Sequence, residues 1–84
     1  MIASLRGRVV ARKLDSVVLD VNGVGYLVQT TQRALRKAQG GKDLTLETYL
    51  HVRGDALQLF GFAETAEREL FELLLSVSGV GPKV

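Results

Sequence analysis

The chain has 84 residues, no cysteine and a formal net charge of +2. It is therefore one small domain, or one domain with a fragment of another, with no disulfide to support its core. No apolar run reaches the roughly 20 residues that a membrane helix needs. The start MIASLRGRVVARKL is basic and lacks the unbroken apolar stretch of a secretory signal, so the expectation is a soluble intracellular protein. Residues 1–42 carry +6 and residues 43–84 carry −4. That imbalance suits a basic face turned to a polyanion, and it equally suits an unevenly charged solvated surface.

Residues 2–12, IASLRGRVVAR, are β-branched and aliphatic around Gly7 and predict a strand that bends or bulges at the glycine. SVVLDV, Ser16 to Val21, predicts a second strand. VGYLVQT, Val24 to Thr30, predicts a third, with Val24, Tyr26 and Val28 on one face. Asn22-Gly23 between them is a strong hairpin signal, because both residues tolerate positive φ. The first Gly-Val-Gly, Gly23 to Gly25, is thus read as a turn and not as a ligand loop. Periodicity changes over TQRALRKAQGGKD, where Ala34, Leu35 and Ala38 share one face of a short helix ended by Gly40-Gly41. LTLETYLHV, Leu44 to Val52, predicts a fourth strand. Arg53-Gly54-Asp55 turns the chain, and ALQLFGF, Ala56 to Phe62, returns antiparallel as the fifth. The expected class is mainly β: a five-stranded OB-fold barrel with a short inserted helix. A small SH3-like barrel competes, and the inserted helix favours the OB-fold.

AETAERELFELLLSV then predicts an α-helix. Leu70, Leu73, Leu74 and Val77 recur at i, i+3, i+4, i+7 and form one apolar face. Glu64, Glu67 and Glu69 sit near the positive end of the helix dipole. Thr65 is the candidate cap, although Arg68 is not the Glu or Gln of a capping box. Phe71 and Leu75 widen the apolar surface, so the helix is expected to pack on two sides, against the barrel and against something else.

Catalytic material is sparse. His51 is the one histidine, and it is read as a structural or surface residue. Metal-ligand spacings are absent. Gly40-Gly41-Lys42-Asp43 has Asp43 where a phosphate loop needs Ser or Thr, and Gly79-x-Gly81 lacks the third glycine of a dinucleotide fingerprint. The expectation is a non-enzyme with no cofactor and no metal. Arg53-Gly54-Asp55 spells an adhesion tripeptide by coincidence.

The second Gly-Val-Gly differs in its surroundings. Gly79-Val80-Gly81 follows an amphipathic helix and precedes Pro82-Lys83. Glycine ends a helix through positive φ, and proline suits the first position of the next one. This is the skeleton of a helix-hairpin-helix. Its bare amides would form a nest for a phosphate oxygen, with Lys83 beside it. A plain corner between two helices is the other reading.

MIASLRGRV, VNGVGYLV, VRGDALQLFGF and AERELFELLLSVSGVG followed by PKV make the whole chain similar to the RuvA family of Holliday junction branch migration subunits. The resemblance implies an N-terminal OB-fold, a middle domain with two helix-hairpin-helix motifs, and a mobile C-terminal domain. It implies a homotetramer that holds four-way junction DNA open and flat. The RuvB motor ATPase would dock through the C-terminal domain, and the RuvC resolvase would join to cut. The subunit itself hydrolyses no ATP. Residues 1–62 would be the OB-fold domain and residues 63–84 the start of the helix-hairpin-helix domain, with the chain ending inside the first hairpin.

Carried over by position, Gly79, Val80, Gly81 and Lys83 match the phosphate-binding hairpin. Asp55 matches one of two adjacent acidic residues aimed at the junction centre. The other position is Gly54 here, a departure that leaves half of the acidic pin missing. Arg6, Arg8, Arg12, Lys13, Arg33, Arg36 and Lys37 are candidates for contacts along the DNA arms. Two other readings stay open. One is an OB-fold for single-stranded nucleic acid, which the few aromatics argue against, since Tyr26, Tyr49, Phe60, Phe62 and Phe71 are mostly needed for the core. The other is an assembly module whose DNA contacts lie elsewhere.

Overall fold

The computed structural model describes residues 1–77. Its elements are β1 (Ser4–Arg12), β2 (Ser16–Val21), β3 (Val24–Thr30), α1 (Gln32–Lys37), β4 (Asp43–Arg53), β5 (Ala56–Phe62) and α2 (Thr65–Leu75). The strands close into a barrel in the order β1-β2-β3-β5-β4. Four of the five pairings are antiparallel and β3 runs parallel to β5. With a helix between β3 and β4, this is the expected OB-fold layout followed by a helix.

Alternation along the strands builds the core. Val9, Val17, Leu19, Val28 and Leu46 are at most 1% exposed, and Thr48 is buried among them with its hydroxyl donating to the Ile2 carbonyl at 2.6 Å. α1 plugs one end with Ala34, Leu35 and Ala38. Thr31 caps it by accepting from the Ala34 N–H at 3.1 Å, and Arg36 and Lys37 in the last turn complement the dipole. The Asn22-Gly23 turn forms as expected, with φ of +52° and +90° and Asp20 Oδ1 accepting from the Gly23 N–H at 2.8 Å.

Four expectations need correction. The irregularity in β1 lies between Val9 and Ala11, not at Gly7. Gly7 is present because β2 passes so close that a Cβ there would lie 2.6 Å from the Asp20 carbonyl oxygen. The helix α1 stops at Ala38, whose backbone is already extended. Gly40-Gly41 instead makes the turn into β4, with Gly41 at φ +79° and its N–H donating to the Val9 carbonyl.

The cap of α2 is Glu64, not Thr65. Glu67 Oε1 accepts from the Glu64 N–H at 3.2 Å, so a capping pair forms one residue before the expected cap. Thr65 instead donates to Glu47 Oε1 at 3.2 Å.

The fourth correction concerns the aromatics. Gly61 points inward, where an added Cβ would strike Val28 and Leu46, so its neighbours Phe60 and Phe62 point outward. Together with Tyr49 they form a seat on the outer face of β4 and β5. Phe71 of α2 rests in it, with ring centroids 5.4, 5.0 and 5.8 Å away. Phe60 and Phe62 are buried with the core residues, but beneath α2 and not in the inner cluster, against which Tyr26 packs. Leu70, Leu73, Leu74 and Val77 stay about half exposed on another side of α2, which agrees with a helix built to pack on two sides.

Candidate nucleic-acid interface

The acidic turn stands on a projection. Pairing between β1 and β4 ends at Ser4 with Glu47, and the Thr48 N–H reaches Ala3 just beyond. On the other side, β3 pairs with β5 only at Leu59 to Gly61. Residues 51–53 and 56–58 are therefore paired only with each other, as a two-stranded ribbon that runs past the barrel wall. Gly54 and Asp55 form its tip. Gly54 has φ +60°, and a Cβ there would meet nothing within 4 Å. Asp55 is exposed and makes no ion pair among the described residues.

The basic candidates lie at the other end of β4. Arg8 is in register with Asp43 and Arg6 with Thr45. Ten residue steps along β4 lead from Asp43 to Arg53, a path of about 33 Å when fully extended. Arg6 and Arg8 border an open polar depression shared with Asp20, Asn22 and Asp43, and Arg8 faces Asp20 at 3.7 Å. Arg12 and Lys13 are exposed at the end of β1, as are Arg36 and Lys37 on α1.

Arg33 is engaged elsewhere, donating to Glu64 Oε2 at 2.6 Å. The pair ties α1 to the start of α2, although with both partners half exposed it contributes no more than about 1 kcal/mol. Lys42 was not among the expected basic contacts. Its carbonyl accepts from the Val9 N–H at 2.9 Å, which brings the residue alongside β1 and its arginines. The available signal was its place directly after a glycine turn at the start of a strand.

Arg6, Arg8 and Lys42 thus gather near one end, while Asp55 stands apart at the other. Gly79, Val80, Gly81 and Lys83 lie outside the described residues. His51 sits on the outer face with its ring 6.3 Å from Tyr49 and 6.4 Å from Phe60, an extension of the aromatic seat.

The family model described as RuvA N terminal domain matches residues 1–61. The chain belongs to the RuvA family. A relative from Symbiobacterium thermophilum is 57% identical over the whole of this chain and 42% of its own length. One from Thermobifida fusca is 50% identical over the whole chain and 42% of its own length. For Geotalea daltonii the figures are 47%, the whole chain and 43%. All three are named Holliday junction branch migration complex subunit RuvA. The chain spans about two fifths of the length of these relatives.

Within this RuvA barrel, Gly54 combines open space with a left-handed backbone. Gly54→Ala is therefore expected to cost only the conformational penalty of positive φ, about 1 kcal/mol. Thermal unfolding should show a fall of about 4–8 °C.

Proposed function

We propose that this chain is the N-terminal part of a non-catalytic DNA-binding subunit that recognises four-way junctions. As a homotetramer it would hold them open while a partner motor drives branch migration with ATP, in recombination and repair in the bacterial cytoplasm. Membership of the RuvA family supports the reading, and the observation that carries it is Asp55 alone on the tip of a projecting ribbon. A carboxylate there repels duplex phosphates, so intact duplex is disfavoured at the crossover and separated strands are accepted. Grip comes from the other candidate site. The amides of Gly79 to Gly81, with Lys83, would hold the sugar-phosphate backbone without reading bases. Residues 1–62 would form the barrel domain and 63–84 the opening of the helix-hairpin-helix domain. The RuvB motor and the RuvC resolvase are the proposed protein partners, docking on parts of a longer protein.

The aromatic seat weighs against the single-strand reading. Phe60 and Phe62 are buried beneath Phe71 and present no open stacking face. A salt titration tests the two readings. Each phosphate contact on duplex DNA adds about −0.9 to the slope of log K against log salt. This chain alone should bind duplex weakly with a shallow slope. The longer tetrameric protein should bind steeply and prefer a junction to linear duplex. Tight, strongly salt-dependent binding of single strands by the 84-residue chain would replace this proposal with the single-strand one.

A further inference from the structure

α2 is attached to the barrel by few contacts. None of its residues is fully buried. Phe71 in its aromatic seat resists lift-off, yet one ring among rings does not by itself fix the rotation of the helix about that point. The Arg33–Glu64 pair holds the N-cap, but both side chains are half exposed. The remaining tie is Arg68. Its Nη1 donates to the Ala3 carbonyl at 3.0 Å and to Glu47 Oε1 at 3.2 Å. Thr65, three residues earlier on the same helix face, donates to the same carboxylate oxygen.

One acid on β4 therefore gathers two side chains of α2, and one guanidinium nitrogen bridges α2, β4 and the segment entering β1. Arg68 and Glu47 are only 18% and 26% exposed, so solvent screens this pair less than the Arg33 pair. The Nε of Arg68 is buried, 4.0 Å from Glu72 Oε2, with no hydrogen-bond partner among the described residues. The guanidinium is thus oriented for Ala3 and Glu47 at the expense of its third nitrogen.

These contacts lie away from Phe71, so they fix rotation. Arg68 to Ser76 spans about 12 Å of helix, and a 10° swing moves its far end by about 2 Å. Hydrogen bonds tolerate only a few tenths of an ångström, and binding sites need angles held within roughly 10–20°.

We propose that Arg68, acting through Glu47, is a positioning residue that sets the angle at which α2 leaves the barrel. It would thereby set the direction in which the chain runs on toward Gly79 to Lys83, the candidate phosphate-binding residues; that second step rests on the DNA-binding reading above.

The absence of cysteine allows spin labels on Thr45→Cys and Ser76→Cys in the 84-residue chain, with the distance distribution read by pulsed electron resonance. One narrow distribution is expected with Arg68 in place. R68M should widen it at least twofold, and R68K, which keeps a donor for Glu47, should narrow it again. A distribution as narrow in R68M as in its parent overturns the proposal. If R68M does not fold, E47A removes the same tie and is judged by the same widths.

In the longer protein, R68M should weaken binding to an immobile four-way junction about tenfold, with R68K recovering most of the loss. A widened distribution with unchanged junction affinity overturns the aiming role. A parent protein with no junction preference overturns the function proposed above instead, and the label distances still decide whether Arg68 sets the helix angle.

Discussion

Gly7→Ala is expected to destabilise the barrel by about 3 kcal/mol, at the upper end of ordinary overpacking. The added methyl would lie 2.6 Å from the Asp20 carbonyl oxygen, 3.0 Å from its carbon and 2.9 Å from Val21 Cγ2. Two of these atoms are backbone, so no rotamer change relieves the clash. β2 must move away, which disturbs the pairing of Arg8 with Asp20 and Val9 with Leu19. Gly61 makes a useful contrast. Its Cβ would meet Val28 Cγ1 at 2.6 Å and Leu46 Cδ1 at 2.9 Å. Both are side-chain atoms, and although Val28 is stiff, Leu46 can yield. A chain of this size has a total stability of about 4–12 kcal/mol, so the Gly7 substitution removes a large part of it. The melting temperature should fall by about 12–24 °C, measured by circular dichroism beside Gly54→Ala. Equal melting temperatures for the two variants would mean that β1 and β2 do not approach as described.

Asp55→Ala in the longer protein should tighten binding to plain duplex and reduce the preference for junctions. A carboxylate about 4 Å from a phosphate is repelled by roughly 1 kcal/mol in water, more where water is excluded. One kcal/mol is about fivefold in affinity, and the proposed assembly of four copies would repeat the repulsion. The junction-to-duplex ratio should therefore fall at least fivefold. Asp55→Asn should behave like Asp55→Ala, because in the proposed role charge and not bulk would do the excluding. With Gly54 in the neighbouring position, a single carboxylate per copy would supply the proposed repulsion at the tip, and Arg53 precedes it by two residues. An unchanged ratio in a properly assembled protein removes the role assigned to the tip.

Much of the barrel was legible in the residues themselves. β2, β3 and β5 begin and end where alternation and the Asn22-Gly23 turn place them. The misses have physical causes. A glycine in a strand signals either a bulge or a close approach, and only the neighbouring strand decides which; at Gly7 it was the approach, while the true bulge at Val10 carries no residue signature. Thr65 is the better cap by type, but Glu47 across the structure claims its hydroxyl, which left Glu64 to the cap. Composition counts aromatics without saying which side of a sheet they occupy. The parity of Gly61 held that information, since an inward glycine turns Phe60 and Phe62 outward. At the candidate site, the acidic tip was readable because a turn was. The pairing of Arg33 and the approach of Lys42 to β1 depend on tertiary distances that no local pattern encodes.

Closure of the barrel has a kinetic consequence. Ser4 must find Glu47, and Val28 must find Leu59 in parallel, so neither seam can form from a local hairpin. Barrels dominated by such distant pairings fold in milliseconds to seconds. During synthesis at about 5–20 residues per second, β3 leaves the ribosome a few seconds before β5 exists to cover its edge. The β2–β3 hairpin, nucleated by Asn22-Gly23, must persist through that interval with its apolar face uncovered, and this is when the nascent chain is most exposed to chaperones and to aggregation.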